Sequence, residues 1–123
     1  MYTLDTNVII YYLSGLPEAV RFIDGLIAGD NPILISVYTE VELFSYPRLT
    51  SVEADRIEAI LNTVTIIPLG SNIARRAAYC SRMFLTNTGD SIIAATALDT
   101  KTTLATRNVK DFKNIPNLTL QRI

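Results

Sequence analysis

Three aspartates of this chain stand at the ends of predicted strands and helices. Asp5 follows the strand-like run Tyr2-Thr3-Leu4. Asp111 comes shortly after Thr103-Leu104-Ala105, and Asp90 opens an apolar helical pattern. In an open sheet of parallel strands, ligands bind outside the carboxyl ends of the strands, so residues far apart in sequence can meet there. Because clustered carboxylates repel one another unless a cation lies between them, and hard divalent ions take oxygen ligands, the pattern predicts a site for Mg2+ or Mn2+.

The residue types that are missing narrow the chemistry further. The chain has no histidine, which excludes Ser-His and Cys-His nucleophile pairs, histidine general bases and histidine-containing zinc sites. The single cysteine, Cys80, lies in a helical pattern, where burial as a small apolar side chain is expected. One cysteine forms no internal disulfide, which fits a reducing cytosol.

No segment of the sequence is typical of a secreted or membrane protein. The first residues lack the basic region and long apolar stretch of a signal peptide. The longest apolar run, residues 8–13, is far shorter than the ~20 residues that span a bilayer. We therefore expect a soluble, cytoplasmic protein. With 123 residues and 49% hydrophobic content, the chain suits one domain over residues 1–123.

Charge is distributed unevenly along the chain. Residues 1–69 hold three basic and nine acidic side chains, whereas residues 70–123 hold eight basic and three acidic ones. Such an asymmetry could place a metal ion and a polyanion near one mouth of the sheet. Chance surface patterning accounts for the same numbers, so charge alone does not choose between the two explanations.

Periodicity and turn residues predict alternating strands and helices. A helical turn is expected from Thr6, and Ser36 is placed to cap a helix that Pro47 stops. Strands are predicted at residues 2–4, 32–35, 63–67, 103–105 and 118–120, and helices at residues 18–28, 37–44, 51–62, 72–84 and 91–98. This order predicts an α/β fold, a three-layer α/β/α sandwich with a mainly parallel central sheet of about five strands.

Each aspartate also has a purely structural explanation. Asp5 and Asp90 could cap the helices that follow them, and Asp111 could form a capping pair with Asn108, three residues earlier. Their common position at one edge of the predicted sheet favours a shared site over three separate caps.

Two glutamates, Glu40 and Glu42, lie on the same predicted helix. Residues two positions apart point about 200° apart around a helix, so only one of them can face the crevice. The apolar stripe of Val37, Val41 and Phe44 does not decide which one it is.

Four segments of the chain resemble the signature blocks of the PIN-domain family. They are residues 4–10, 35–43, 89–98 and 106–112, which follow the family's order and spacing over the whole chain. The blocks are most similar to those of its VapC-type members, the toxins of type II toxin-antitoxin pairs. The resemblance implies a PIN fold and a Mg2+- or Mn2+-dependent endoribonuclease. Such an enzyme would cleave structured RNA, a tRNA or rRNA, by attack of metal-activated water on the phosphodiester.

The resemblance also implies which residues do the chemistry. It selects Glu42 over Glu40, because the family's acid immediately precedes a leucine, here Leu43. The implied catalytic and metal-binding quartet is Asp5, Glu42, Asp90 and Asp111. Neighbouring side chains that could orient the acids or contact RNA are Asn7, Thr106, Arg107, Asn108 and Lys110. Turn, capping and solvated-surface roles are the alternatives for these five residues.

One loop departs from the family's pattern. Many relatives carry a basic residue and a proline shortly before the third acid, whereas residues 85–89 read Leu-Thr-Asn-Thr-Gly. We therefore expect no basic contact to RNA from this loop, while the acidic quartet itself is intact.

The apolar residues near the start of the chain predict a contact surface. Residues 8–13 form an apolar run with two tyrosines, and further apolar residues follow on the next helix, at Val20, Phe22, Ile23, Leu26 and Ile27. Exposed apolar patches with aromatic residues mark interfaces, although core packing accounts for part of this set. The family resemblance implies a homodimer and a cognate VapB-like antitoxin, bound through the first two helices, with an antitoxin arginine entering the acidic crevice.

Two other functional classes remain open. One is a PIN-like protein that binds RNA or a partner without cutting, against which the complete quartet argues. The other is an aspartate-phosphorylating protein. A phosphatase of the haloacid dehalogenase type needs an aspartate at the position of Asn7, and a receiver domain carries its aspartate on a central strand rather than the first one.

Overall fold

The computed structural model describes residues 1–123, in which short strands alternate with helices. The strands are β1 (Tyr2–Leu4), β2 (Ile33–Ser36), β3 (Thr65–Ile67), β4 (Thr103–Thr106) and β5 (Leu120–Arg122). The helices are α1 (Thr6–Leu13), α2 (Pro17–Ala28), α3 (Val37–Phe44), α4 (Ser51–Leu61), α5 (Ser71–Phe84), α6 (Thr88–Thr100) and α7 (Val109–Phe112). The five strands form one sheet in the order β3-β2-β1-β4-β5, and every pair is parallel. The predicted α/β fold is confirmed.

The strand order creates a crevice at the centre of the sheet. β1 pairs with β2 on one side and with β4 on the other, so that Tyr2 lies between Ile33 and Thr103. The chain first builds the sheet outward through β2 and β3, and only later returns to the opposite side of β1. At such a reversal the connections leave β1 and β4 on opposite faces, which opens a ligand crevice beyond their carboxyl ends.

Helices cover both faces of the sheet. Alternate strand residues point to opposite faces, so Leu4, Ile35 and Ala105 pack with α1, α2, α3 and α4. Leu104 points the other way and packs with Cys80 and with α6. α6 is buried over Ser91 to Ala97, as its nearly all-apolar sequence predicts. The two layers hold the sheet edge, and with it the crevice, in a fixed frame.

The ends of several elements were predicted correctly. α3 covers residues 37–44 as expected, and the Ser36 hydroxyl caps it by accepting a hydrogen bond from the Tyr38 N–H at 3.0 Å.

Cys80 is buried as expected, with 2% of its surface exposed. No helix has both the length and the apolar character needed to span a membrane.

Several boundaries differ from the sequence prediction, and three of the differences have a clear physical origin or consequence. α6 begins at Thr88 rather than at Ser91, because Asn87 caps it through its side-chain oxygen. Asparagine is among the strongest N-cap residues. Thr88 and Gly89 are not apolar, so the hydrophobic periodicity used to predict helices begins only after them. The turn from Thr6 continues as an eight-residue helix. β5 lies two residues further along than predicted, because the Thr106 carbonyl pairs with Ile123.

Candidate active site

Asp5 lies at the head of the crevice between the two central strands. Its N–H donates to the Ala105 carbonyl at 3.0 Å, which continues the β1-β4 pairing beyond the end of β1. The Thr106 hydroxyl donates to Asp5 Oδ2 at 2.8 Å. Asp5 occupies the N-cap position of α1, yet its side chain makes no capping hydrogen bond. The carboxylate is therefore directed toward β4 and is not a helix cap, so the capping explanation for this residue is wrong.

The environment of Asp5 favours its neutral form. Only 4% of the residue is exposed. Burial raises the pKa of the carboxyl to about 6, and the charges of Asp90 and Glu42 act in the same direction. The Thr106 hydroxyl and the Thr6 N–H oppose this rise in pKa without cancelling it. A buried acid whose ionised form is held near other acids is typical of functional sites.

Glu42 reaches the same crevice from α3. The Thr6 hydroxyl donates to Glu42 Oε1 at 2.6 Å, and the Thr6 and Thr39 hydroxyl oxygens are 3.0 Å apart. Since Thr6 gives its proton to the carboxylate, the buried Thr39 donates to Thr6. Glu40 is not among the charges that raise the pKa of Asp5 or of Asp90, whereas Glu42 raises both. The structure thus brings Glu42, and not Glu40, to Asp5.

Asp90 is half-buried in the first turn of α6. Its N–H donates to Asn87 Oδ1 at 2.8 Å, and Asn87 Nδ2 donates in return to Asp90 Oδ2 at 3.0 Å. Burial is the largest cause of the raised pKa of Asp90, and the charges of Asp111 and Glu42 raise this pKa further. The hydrogen bond from Asn87 lowers the pKa of Asp90 without cancelling the rise. Because Asn87 is the cap, the explanation of Asp90 as an N-cap is wrong. The asparagine also fixes one oxygen of the acid.

Asp111, an exposed residue of helix α7, is the fourth acid of the predicted quartet. Its N–H donates to the Asn108 carbonyl at 2.9 Å, and Asn108 makes no side-chain capping bond. The capping pair proposed between these residues is therefore wrong. Asp111 lies close enough to Asp90 to raise its pKa. All four acids of the predicted quartet thus share one electrostatic environment at the carboxyl edge of the sheet.

The five predicted neighbours have different surroundings. The Asn108 N–H donates to Thr106 Oγ1 at 2.9 Å, so Asn108 supports the hydroxyl that holds Asp5. The Arg107 guanidinium lies 5.3 Å from the centre of the Tyr11 ring, a cation–π contact at the exposed rim. Asn7 and Lys110 are both exposed.

The sequence prediction missed three residues that support the acids. Thr6 and Thr39 orient Glu42, and Asn87 orients Asp90. The positions of the threonines carried a usable signal, since Thr6 directly follows Asp5 and Thr39 lies one helical turn before Glu42. Asn87 stands three residues before Asp90, the spacing of a cap and its partner.

The donor set of the crevice matches a hard divalent cation in chemistry. It consists of carboxylate and hydroxyl oxygens, and neither histidine nor a thiol is present. No three acidic side chains are arranged to surround an ion in the structure. Asp5, Glu42 and Asp90 instead each give one oxygen to a hydroxyl or amide donor. The residues therefore fit a magnesium-like ion, and holding one requires some of these side chains to turn.

Known proteins share both the sequence pattern and the architecture. A ribonuclease VapC2 of Rickettsia felis is 28% identical, over 98% of this chain and 96% of that protein. A chain of a toxin-antitoxin complex from Klebsiella pneumoniae is 30% identical, covers both chains fully and superposes with a TM-score of 0.83. A chain in the Rickettsia felis VapBC2 complex with a promoter DNA fragment has the same fold, with a TM-score of 0.86 at 24% identity over 99% of this chain and 98% of that one. A PIN domain family model matches residues 2–118, and the chain belongs to that family.

Proposed function

We propose that residues 1–123 form one PIN domain that acts as a metal-dependent endoribonuclease, the toxin of a toxin-antitoxin pair. The observation that carries this proposal is Asp5. A buried carboxyl, with its pKa raised to about 6 and two further acids beside it, lies beyond the carboxyl ends of the two central strands. The repulsion between these carboxylates destabilises the folded protein, and a bound cation would remove that repulsion. A cytoplasmic location is part of this proposal, because the proposed substrate is RNA.

The quartet Asp5, Glu42, Asp90 and Asp111 is the proposed ligand set for Mg2+ or Mn2+. The buried Asp5 and the half-buried Asp90, together with Glu42 and the exposed Asp111, would supply its oxygen ligands. A divalent ion held by these four acids would lower the pKa of a bound water molecule and offset charge on the scissile phosphate. This chemistry needs no histidine, which agrees with the composition of the chain.

The remaining residues of the crevice hold the acids in place. The Thr106 hydroxyl fixes Asp5, the Thr6 hydroxyl fixes Glu42 and the Asn87 amide fixes Asp90. Each of these bonds occupies one carboxylate oxygen and restricts rotation of the side chain. Orientation of this kind is worth 10–100-fold in metal affinity or activity at known metal sites.

RNA contacts are proposed for the basic rim. Arg107 and Lys110 are exposed beside Thr106 and Asp111, where a phosphate approaching the acids would pass. Arginine and lysine contacts to phosphate position a nucleic acid without reading its sequence. The specificity for a structured RNA, a tRNA or rRNA, then rests on a single-stranded loop whose bases can be splayed into the crevice. The Rickettsia felis relative is itself named a ribonuclease.

A VapB-like antitoxin is the proposed protein partner. A cavity of about 360 Å³ between α1, α3 and α4 is lined by Ile10, Leu13, Leu43, Tyr46, Leu49 and Ile57, among others. A second groove of about 420 Å³ between α1, α2 and α4 includes Tyr12, Val20 and Ile27. Grooves of this kind receive the apolar face of a partner helix. The Klebsiella pneumoniae relative is part of a toxin-antitoxin complex, which supports this choice, and a homodimer is proposed as the unbound state.

The activity is tested with RNA cleavage by purified protein in Mn2+. Asp5→Asn and Asp90→Asn should each lower the rate roughly 100-fold or more, because each removes a ligand at almost constant volume. Glu42→Gln should be inactive as well, while Glu40→Gln serves as the matched control and should cleave like the wild type. Full activity of Asp5→Asn would refute the site.

Metal dependence has its own test. Mn2+ should raise the melting temperature. At a free Mn2+ concentration 100 times the dissociation constant, the free energy of unfolding should rise by about 2.7 kcal/mol. Asp5→Asn should abolish this gain. A melting temperature that is the same in EDTA and in millimolar Mn2+ would contradict the metal site, and incorporation of labelled phosphate would support the aspartate-phosphorylating class instead.

The partner is tested with the product of the adjacent gene. Co-expression should yield an inhibited complex, and Leu13→Glu should release the inhibition because it places a charge in the apolar cavity. Sedimentation of the wild type alone should show a dimer at micromolar concentration. A monomer whose cleavage is unaffected by the neighbouring product would show the toxin assignment to be wrong.

A further inference from the structure

Tyr38 lies directly against the backbone of Gly89. A Cβ atom at Gly89 would be 3.0 Å from both Tyr38 Cε2 and the Tyr38 hydroxyl oxygen, and 3.3 Å from Cζ. Carbon atoms in favourable contact are about 3.5–4.0 Å apart, so a Cβ atom at position 89 would be too close to the ring unless the ring or one of the two helices shifted. The contact joins α3, which carries Tyr38, to the first turn of α6.

The backbone of Gly89 does not itself require glycine. Its φ angle lies outside the left-handed region, and it is the second residue of a regular helix. Alanine is favoured over glycine by roughly 1 kcal/mol within a helix. The contact with Tyr38 is therefore the feature of the structure that favours glycine at this position.

The partly buried Tyr38 ring is confined on the side that faces α5 and α6. It packs against a cluster of buried side chains from α5 and α6, which consists of Ile73, Ala77, Ile92 and Ala95. Its own N–H is bound to Ser36 Oγ at the start of α3. Protein interiors are close-packed, so a ring held on these sides transmits a displacement to the helix that carries it.

Two acids of the crevice are attached directly to this contact. Glu42 lies four residues after Tyr38 and so shares its face of α3, while Asp90 immediately follows Gly89. Glu42 and Asp90 approach Asp5 from different helices, and each of them raises its pKa. The separation of α3 and α6 thus sets the separation of Glu42 from Asp90.

We propose that the Tyr38–Gly89 contact is a spacer between α3 and α6 that positions Glu42 and Asp90 on either side of Asp5. Tyr38 and Gly89 are positioning residues in this scheme and touch neither metal nor RNA. The catalytic consequence rests on the proposed function, whereas the spacing itself is a property of the fold.

The first test compares two Gly→Ala variants. Gly25 lies within α2, and a Cβ there would meet no atom within 4 Å. Gly25→Ala and Gly89→Ala both replace a helical glycine, and only the new Cβ atom of Gly89→Ala meets Tyr38. We expect Gly89→Ala to lower kcat at least roughly tenfold with KM within twofold, because misplacement by 1 Å can cost about 100-fold. Gly25→Ala should cleave RNA like the wild type.

A double-mutant cycle identifies the contact as the cause. In a Tyr38→Val background the ring is gone, so Gly89→Ala should change kcat by less than roughly twofold. Tyr38→Val alone should lower kcat, because the spacer is missing, with a smaller change in KM. Equal effects of Gly89→Ala in both backgrounds would mean that the glycine acts independently of Tyr38 and would overturn the proposal.

Crystal structures of the wild type, Gly25→Ala and Gly89→Ala test the spacing without reference to activity. In Gly89→Ala the Glu42 and Asp90 Cα atoms should move apart by about 0.5 Å or more, which restores normal contact distances. The Asp5–Thr106 hydrogen bond should persist in all three. An unchanged separation would refute the spacer. If the wild type cleaved no RNA, the proposed function would be refuted. The Glu42–Asp90 Cα separation in the crystal structures would still show whether Tyr38 and Gly89 act as a spacer.

Discussion

Two buried polar clusters lie at opposite ends of the central strands and have opposite characters. At the amino-terminal end the Thr3 and Thr102 hydroxyls are 2.6 Å apart, and Thr102 also meets Thr100 at 3.1 Å. At the carboxyl end Asp5 is buried beside two further acids, with its pKa raised to about 6. The threonine cluster is neutral and each of its hydroxyls has a partner. In the acidic cluster the carboxylates repel one another, and the hydrogen bonds to Asp5 offset only part of the resulting rise in its pKa.

The difference shows which buried polar groups contribute to stability and which are kept for chemistry. A paired neutral hydroxyl contributes about 1 kcal/mol to the free energy of unfolding. A carboxylate that must be ionised for its role lowers the free energy of unfolding at neutral pH, because the unfolded chain ionises it more easily. The same two strands, β1 and β4, therefore carry a stabilising pair at one end and a destabilising site at the other.

The largest expected effect is on the pH dependence of stability in EDTA. The folded-state pKa of Asp5 lies above its unfolded value, so its contribution is fully present below about pH 4 and is lost as the pH rises through about 6. Asp90 shifts in the same direction. Relative to Asp5→Asn, the wild type should lose about 2.5 kcal/mol of unfolding free energy between pH 4 and pH 7.5. Urea unfolding at both pH values measures this, and parallel curves for the two proteins would contradict the raised pKa.

The opposite end should respond in the opposite way. Thr3→Val should lower the free energy of unfolding by about 1 kcal/mol, since Thr102 loses a partner. The double variant Thr3→Val/Thr102→Val should recover part of this loss, because both polar groups are then removed. RNA cleavage and the Mn2+-induced gain in melting temperature should equal those of the wild type. A change in either would mean that the two clusters are coupled through β1.

Thr106 allows a finer test within the acidic cluster. Its hydroxyl lowers the pKa of Asp5, so Thr106→Val should move the acidic limb of the pH–rate profile to higher pH. Thr106→Ser keeps the hydroxyl and is the matched control, with a profile like that of the wild type. If Thr106→Val only lowered the rate equally at every pH, Thr106 would act on geometry and not on the ionisation of Asp5.

The smallest effect is expected at Asn87. Asn87→Ser keeps an oxygen that can cap α6 but loses the amide that donates to Asp90 Oδ2. We expect a loss of about threefold in kcat and little change in melting temperature, less than for the Thr6 and Thr106 hydroxyls, because this hydrogen bond is exposed to solvent and theirs are not. Asn87→Ala also removes the cap and should lower the free energy of unfolding by about 1 kcal/mol. Equal rates for Asn87→Ser and the wild type would limit Asn87 to capping.

Local patterns were sufficient for most of the fold. α3 was placed correctly because Ser36 is a strong cap and Pro47 excludes a longer helix. The helices on both faces followed from the alternation of β-branched runs with amphipathic segments. The start of α6 was misplaced because its first turn contains polar residues and glycine, and its cap makes a bond that periodicity does not reveal.

The candidate site was predictable in residue type more than in arrangement. The three aspartates were found because the carboxyl ends of parallel strands meet at one edge. Helical periodicity did not choose between Glu40 and Glu42, and the family resemblance did. The structure adds the physical basis, since Thr6 donates to Glu42 across 36 positions of the chain.

The sequence by itself determined most of the helices and strands and the acids that follow them, because these depend on neighbours within a helical turn or a strand; the alternation of the elements then indicated a parallel sheet. Only the tertiary structure decided the raised pKa of Asp5, the Thr6 bond to Glu42 and the contact of Tyr38 with Gly89. These features join residues that are distant in the chain. Burial, hydrogen-bond geometry and steric contact between such residues exist only after the helices have packed across the sheet.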